Sequence, residues 1–313
     1  MLTQEQIQDR INGIGGSEAA SVLGLSRYKT TLQLWGEKTG QLPVPEIDSE
    51  AAELGSELED YVARRFTKKT GLQVERVNET IIHPNYNFLR ANIDRRVVGE
   101  NSILECKTCS IRKSQEWIED EIPQEYLIQV HHYLMVTGAE IAYIAVLIGN
   151  EKFLWKIVER DENIIQQILQ GELNFWNNFV LTRTMPMTIG ANDAETLLAL
   201  FPNSEPLQSV ELDDEANRLI EFRNALILDS YSLETQIEAH NNQIKALLGN
   251  AEKGESNLFK AIWKSQSRKS IDVESLKQQN PRIYNQYLRT TNSRSLKITS
   301  KVISQGVGTN ESE

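Results

Sequence analysis

Only two cysteines occur in this chain, Cys106 and Cys109, in a single C-x-x-C pair. No second pair exists to complete a zinc site, so both read as small, partly buried side chains. Long apolar runs are missing too. None reaches the roughly 18 residues that a membrane span needs. The first ten residues, MLTQEQIQDR, lack the basic and apolar regions of a secretory signal, so a cytoplasmic chain is expected. Overall positive charge is also absent: the net charge is −11. Its distribution is uneven, however. Leu258 to Lys301 hold ten Lys and Arg against two Asp and Glu. Such asymmetry is expected of a segment facing nucleic acid on an otherwise acidic body, or of a plain solvated basic face.

What is present centres on Ala91 to Cys109, ANIDRRVVGENSILECKTC. It reads as two short strands about a turn at Gly99-Glu100, where glycine suits a two-residue hairpin. That register sets Val98 opposite Asn101 and Asp94 opposite Glu105. Strand side chains alternate faces, so Glu105 and Lys107 share a face with Ile103 and Cys109. Two carboxylates and an ammonium then converge. Carboxylates that close repel one another unless a cation sits between them. A hard divalent ion such as Mg²⁺ suits such oxygen ligands. An exposed hairpin face with an ordinary salt bridge would carry the same pattern.

Elsewhere the reading is a mixed α/β core. Helix is expected over residues 1–12. Gly13-Ile14-Gly15-Gly16-Ser17 then leads into a helix for which Ser17 is a good N-cap, with no strand before the glycines. Such a start is either a plain capped helix or a phosphate site, to which Arg10 could add a guanidinium. Further helices are expected over Thr30–Thr39, over Ser49–Thr70 ending at Gly71, and from Pro123 to Thr137. Tyr126, Gln129, Val130 and Tyr133 share one side of the last of these. Strands are expected at about 72–82, 87–98 and 101–109, then at Ile141–Ile148 and Lys152–Val158, and a helix capped by Asp161. Met185 to Pro206, with three prolines, reads as a linker. Val210 to Leu248 contains neither Pro nor Gly, and Leu212, Ala216, Leu219, Leu226, Leu233, Ile237, Ile244 and Leu247 fall on a heptad seam. That seam is broken by Arg223, Ser230 and His240, and the segment is either one helix or a pair folded near Asp229-Ser230. A small basic unit follows, with strands expected at Leu258–Ser267 and Ser295–Thr299 around helical material.

R-x2-GIGGSEAASVLGLS, the helix ending EKTG, GSELE, the D-x10-E-x-K hairpin and P-x2-Y-x2-QV stand in one order over residues 6–182. Together they resemble the YqaJ-type viral recombinase family, the phage-lambda-exonuclease-like branch of the PD-(D/E)xK nucleases. The resemblance implies a restriction-endonuclease-like mixed β-sheet flanked by helices. This α/β core is expected over residues 1–185, with a linker at 186–207, a long helical segment at 208–250, a basic α+β unit at 255–301 and a disordered tail at 302–313.

The resemblance further implies roles. Asp94, Glu105 and the carbonyl of Cys106 would hold Mg²⁺ or Mn²⁺, with Glu59, the last acid of GSELE, contributing from its helix. Lys107 would position or deprotonate the attacking water. Gln129 would hold Lys107 or the nucleophile, and Tyr126 would line the site. Arg10 and Ser17 would receive a terminal 5′-phosphate. His131 and His132 read as packing or DNA contacts, because neighbours on a helix point in different directions. The activity implied is a 5′→3′ exonuclease on double-stranded DNA ends in phage recombination, acting in a bacterial host. A single-strand annealing protein is the implied partner, and a ring of three copies the implied assembly. A structure-specific endonuclease and a non-catalytic DNA-binding or docking protein are the competing readings.

Overall fold

The computed structural model describes residues 10–45, 49–119, 121–289 and 294–299. They form two compact units, one ending at Pro202 and one beginning at Asn203. Among the described residues no helix is long and apolar enough to cross a membrane.

In the first unit, β1 (Ile14–Gly15) runs into α1 (Gly16–Val22), followed by α2 (Thr31–Lys38) and α3 (Glu50–Thr70). Ser49 caps α3 by accepting the Ala52 N–H at 3.3 Å, and Gly71 ends it in the left-handed region, φ 83°. Then come β2 (Val74–Arg76), β3 (Ile81–Ile82), β4 (Leu89–Ala91), β5 (Arg95–Val97) and β6 (Ser102–Cys109). A 3₁₀ helix, Ile111–Trp117, leads to α4 (Gln124–Thr137), β7 (Ile141–Ile148), β8 (Lys152–Glu159) and α5 (Glu162–Phe175).

Five strands form the main sheet in the order β2-β5-β6-β7-β8. β6 and β7 are parallel, Ser102 beside Ile141 through Cys109 beside Ile148, and the other pairs are antiparallel. A parallel pair needs a crossover, and here the 3₁₀ helix and α4 provide it. α3 covers one face, where Val62, Ala63 and Phe66 meet Val97, Leu104, Tyr143 and Ala145. On the other face Ile103, Ile144, Val146 and Ile148 join Val130 and Leu134 of α4, Ala19 and Ala20 of α1 and Ile165 and Ile168 of α5. These two apolar layers follow from the alternation of β6 and β7.

The strands expected at 72–82 and 87–98 each split. β2 and β5 pair in the main sheet, whereas β3 and β4 pair in a second, three-stranded sheet with β1. The break at Asn92–Asp94 lies between the two sheets. A strand does precede the helix of GIGGS: Ile14 and Gly15 pair in parallel with Leu89 and Arg90. That pairing keeps the backbone extended through Gly15, which is the N-cap, so Ser17 lies inside α1 as its second residue. Of the helix expected over residues 1–12, residues 1–9 lie outside the described residues, Arg10 and Ile11 are helical, and Asn12 is in a turn. The stretch read as a linker carries α6 (Ala194–Leu200), whose Leu197 and Leu200 pack on the first core.

In the second unit α7 (Asp214–Leu248) is one uninterrupted helix with no buried residue. After it, β9 (Lys253–Glu255) and β10 (Lys260–Ile262) form a hairpin, followed by α8 (Val273–Gln279) and α9 (Pro281–Tyr287). Residues 295–299 are not a strand. β10 pairs with its neighbour β9 instead, at a lower loop-closure cost than a partner beyond two helices. The tail at 302–313 lies outside the described residues.

Candidate functional site

The hairpin register puts Arg95 opposite Leu104 and Arg96 opposite Ile103, which carries Asp94 to the level of Glu105. Beyond Leu104, β6 has no strand on that side. Asp94 Oδ2 fills the gap by accepting the Cys106 N–H at 2.7 Å. A strand residue's N–H and C=O point to the same edge, so the Cys106 carbonyl faces the same opening as Asp94. The Cys106 thiol turns to the α3 face, and burial pushes its pKa up.

Glu105 is 4% exposed. Its Oε1 accepts from Lys107 Nζ at 2.7 Å and from Gln129 Nε2 at 2.8 Å. Lys107 also donates to Gln129 Oε1 at 3.0 Å, which closes a triangle between β6 and α4. Gln129 Nε2 reaches the Tyr133 hydroxyl at 3.0 Å. The ring of Tyr126 lies 4.8 Å from the Lys107 ammonium. Gln129, Tyr126 and Tyr133 share a helical side, so one face of α4 closes the site.

Glu105 Oε2, by contrast, is buried with no hydrogen-bond partner. Burial, followed by repulsion from Glu105 and Glu59, raises the Asp94 carboxyl well above the carboxylate range. Both observations mark a place short of positive charge. Among the described residues no three His, Cys, Asp or Glu side chains gather tightly enough to cage an ion. The donor set is two carboxylates and a backbone carbonyl, with Glu59 further out. That set fits Mg²⁺, which takes one or two carboxylates and keeps several waters. Glu59 is paired with Arg95 and with Arg76 at 3.3 Å, and Arg95 also holds Asp60.

Lys107 is pulled two ways. Burial works against its ammonium, but Glu105 in contact, then Asp94, outweigh this and raise its pKa.

The N-terminal candidates, Arg10 and Ser17, stand before and within α1, which packs on α4. Glu18 Oε2 takes the N–H of the N-cap residue Gly15 at 3.1 Å, whereas Ser17, expected at the N-cap, lies inside α1 and is exposed. The buried ammonium of Lys38 holds both Glu18 oxygens, at 2.8 and 2.7 Å, and the Arg10 carbonyl. Gly16 packs on Tyr133, and a Cβ there would stand 2.4 Å from the ring. The charge of Arg10 is felt at the Tyr133 hydroxyl, which is bonded to Gln129.

His131 and His132 are buried, which fits packing rather than surface contact. His131 Nδ1 lies 2.9 Å from the Leu127 carbonyl. His132 bridges Glu172 of α5 at 2.7 Å and the Arg90 carbonyl at 2.9 Å. Lys38 and Glu172 were not foreseen as partners, because each pair joins elements distant in sequence. The cap was within reach: glutamate three residues after Gly15 is half of a capping box.

Comparison with known proteins accords with this architecture. A sequence model of the YqaJ-like viral recombinase domain matches residues 6–140. The uncharacterized protein YqaJ of Bacillus subtilis (strain 168) is 43% identical over 298 residues, covering 94% of this chain and 93% of that protein. The crystal structure of an alkaline exonuclease from Laribacter hongkongensis superposes with a TM-score of 0.51 at 21% identity, covering 58% of this chain and 94% of the other. Its complex with dAMP gives 0.50 at 21% identity over the same shares.

Proposed function

This chain belongs to the YqaJ-like viral recombinase family, and from that premise we propose that it is a metal-dependent deoxyribonuclease. It acts as a 5′→3′ exonuclease on linear double-stranded DNA and leaves 3′ single-stranded tails for phage-type recombination. The observation that carries the reading is Glu105. One of its oxygens holds Lys107 and Gln129, and the other is buried and unpaired beside Asp94. The alkaline exonuclease with the same fold, whose structure was also determined with dAMP, supports it.

Asp94, Glu105 and the Cys106 carbonyl would hold Mg²⁺ or Mn²⁺, with Glu59 contributing from α3. When bound, the ion supplies Lewis acidity at the scissile phosphate and at the leaving oxygen. The chain's own groups do the rest. Lys107 orients the attacking water with its ammonium. Neutralising the neighbouring carboxylates removes the charge that keeps Lys107 protonated, which opens the way for it to take a proton. Gln129 fixes the Lys107 side chain, and Tyr126 walls it from solvent. Arg10, with Ser17 near it in sequence on α1, receives the 5′-phosphate of the strand end. The partners are DNA ends and a single-strand annealing protein, and the assembly is a ring of three.

The test is digestion of linear duplexes bearing 5′-phosphate or 5′-hydroxyl ends, and of closed circular plasmid, with Mg²⁺ and with EDTA. The expected result is Mg²⁺-dependent loss of linear DNA, faster from 5′-phosphate ends, and an intact plasmid. Arg10→Ala abolishes the end preference. Nicking of the closed circle would establish an endonuclease instead, and no cleavage of any substrate would leave a DNA-binding protein.

A further inference from the structure

Beside the hydrolytic cluster stands a group of side chains that no step above uses. Tyr28, in the loop between α1 and α2, is 61% exposed. It is nonetheless held. Lys113 Nζ lies 3.2 Å from its hydroxyl and 5.4 Å from its ring centre. Tyr126 is a close neighbour whose pKa is raised by burial and by Tyr28; its ring stacks on Trp117 at 5.7 Å and lies 4.8 Å from the Lys107 ammonium. The loop is pinned by Arg27, which grips Glu116 with two nitrogens at 2.8 and 2.9 Å and Glu125 with a third at 2.6 Å.

These contacts divide the labour. Arg27 is spent on two carboxylates, and Glu116, the acid near Lys113, is spent on Arg27. What faces outward is an aromatic ring and an ammonium hydrogen-bonded to a phenol. Every base has a π-face, but only an unpaired base exposes it fully, and a fixed aromatic ring beside a cation is the surface that receives one.

We propose that Tyr28 is a stacking platform for an unpaired nucleobase of the strand being cut, with Lys113 on an adjoining phosphate. The inference rests on the nuclease reading and deepens it. The platform is two contacts from Lys107, by way of Tyr126, so the stacked base is a near neighbour of the scissile phosphate. Stacking there holds the strand in register while the next phosphate enters. The exposed face is committed to nucleic acid rather than to a protein, because stacking accepts any base and so suits an enzyme that moves along arbitrary sequence.

The experiment has two arms. Binding of a short oligothymidylate is measured by fluorescence anisotropy in EDTA, where nothing is cut, for wild type, Tyr28→Ala, Tyr28→Leu, Tyr28→Phe and Lys113→Ala. Steady-state kinetics on linear duplex with Mg²⁺ follow for the same proteins. Tyr28→Ala and Tyr28→Leu should weaken binding about 5- to 100-fold, while Tyr28→Phe stays within about 3-fold. Lys113→Ala should make the salt dependence shallower by about 0.7. In the kinetics the loss falls in KM more than in kcat. Wild-type binding by Tyr28→Ala overturns the proposal, as does Leu serving as well as Tyr, which would point to an apolar protein contact. A loss confined to kcat overturns it too, since Tyr28 would then act only by propping Tyr126. Should wild type cleave nothing, the nuclease reading fails, and the binding arm still decides whether Tyr28 stacks a base.

Discussion

Asp94 is bonded to the backbone N–H of Cys106 at 2.7 Å, in the place where a neighbouring strand would have offered a carbonyl. One carboxylate therefore extends the sheet and stands against Glu105. The two duties separate by substitution. Asp94→Asn keeps an acceptor for the N–H and loses the charge. Asp94→Ala loses both and strands a buried donor, at about 1–3 kcal/mol. Both variants should be inactive with Mg²⁺, and thermal unfolding should place Asn above Ala. Equal melting temperatures would mean that water replaces the carboxylate at Cys106.

Lys107 and Gln129 share the Glu105 carboxylate but stand differently toward the chemistry. Lys107→Ala and Glu105→Ala should abolish cleavage with the fold intact by circular dichroism. Gln129→Ala removes a support and should lower kcat about 10- to 100-fold. Single-turnover rates at saturating Mg²⁺ test this, and substantial cleavage by Lys107→Ala would remove it from the mechanism.

Glu59 is held by arginines on its way to the site. Glu59→Ala should raise the Mg²⁺ concentration needed for half-maximal activity, with partial rescue at high Mg²⁺, whereas Glu57, exposed on α3, should tolerate the change. A Mg²⁺ titration of both variants decides which acid of GSELE serves the ion.

The buried His132–Glu172 pair makes stability depend on pH. Burial alone would lower the His132 pKa, but Glu172 in contact, the Arg90 carbonyl and Glu18 raise it. A value raised in the folded state gives stability that is complete below the ordinary histidine value of about 6.5 and is lost as pH rises through the folded value. The unfolding free energy of wild type should decline across that alkaline window. His132→Gln should flatten this component and, by leaving Glu172 buried and unpaired, cost about 3–5 kcal/mol near pH 6. Denaturant melts from pH 5 to 9 measure both effects.

The sequence carried the meeting of Asp94, Glu105 and Lys107 further than it carried the scaffold. Asp94, Glu105 and Lys107 lie on one hairpin, and alternation with a short turn fixes their register locally. The 3.6-residue period of α4 groups Gln129 with Tyr126 and Tyr133, while its place beside Lys107 was implied only by the family resemblance. The start of α1 did not follow, because the cap at Gly15 depends on a parallel pairing with Leu89 and Arg90, far along the chain. The split of the 72–98 strands into two sheets and the partners of Lys38 and His132 were hidden for the same reason. The short 3₁₀ helix at Ile111–Trp117, which carries Lys113, has too few residues to show a period.

Gly16 owes its identity to a neighbour. The ring of Tyr133 occupies the space where a side chain would begin, and its hydroxyl steadies Gln129, which in turn steadies Glu105 and Lys107. The first helix and the Glu105–Lys107–Gln129 cluster are therefore gauged from a single aromatic spacer. One added methyl at position 16 would be transmitted through two hydrogen bonds as a displacement of the Lys107 ammonium. Tolerance at the start of α1 is set by the space that Tyr133 leaves, before helix propensity is considered.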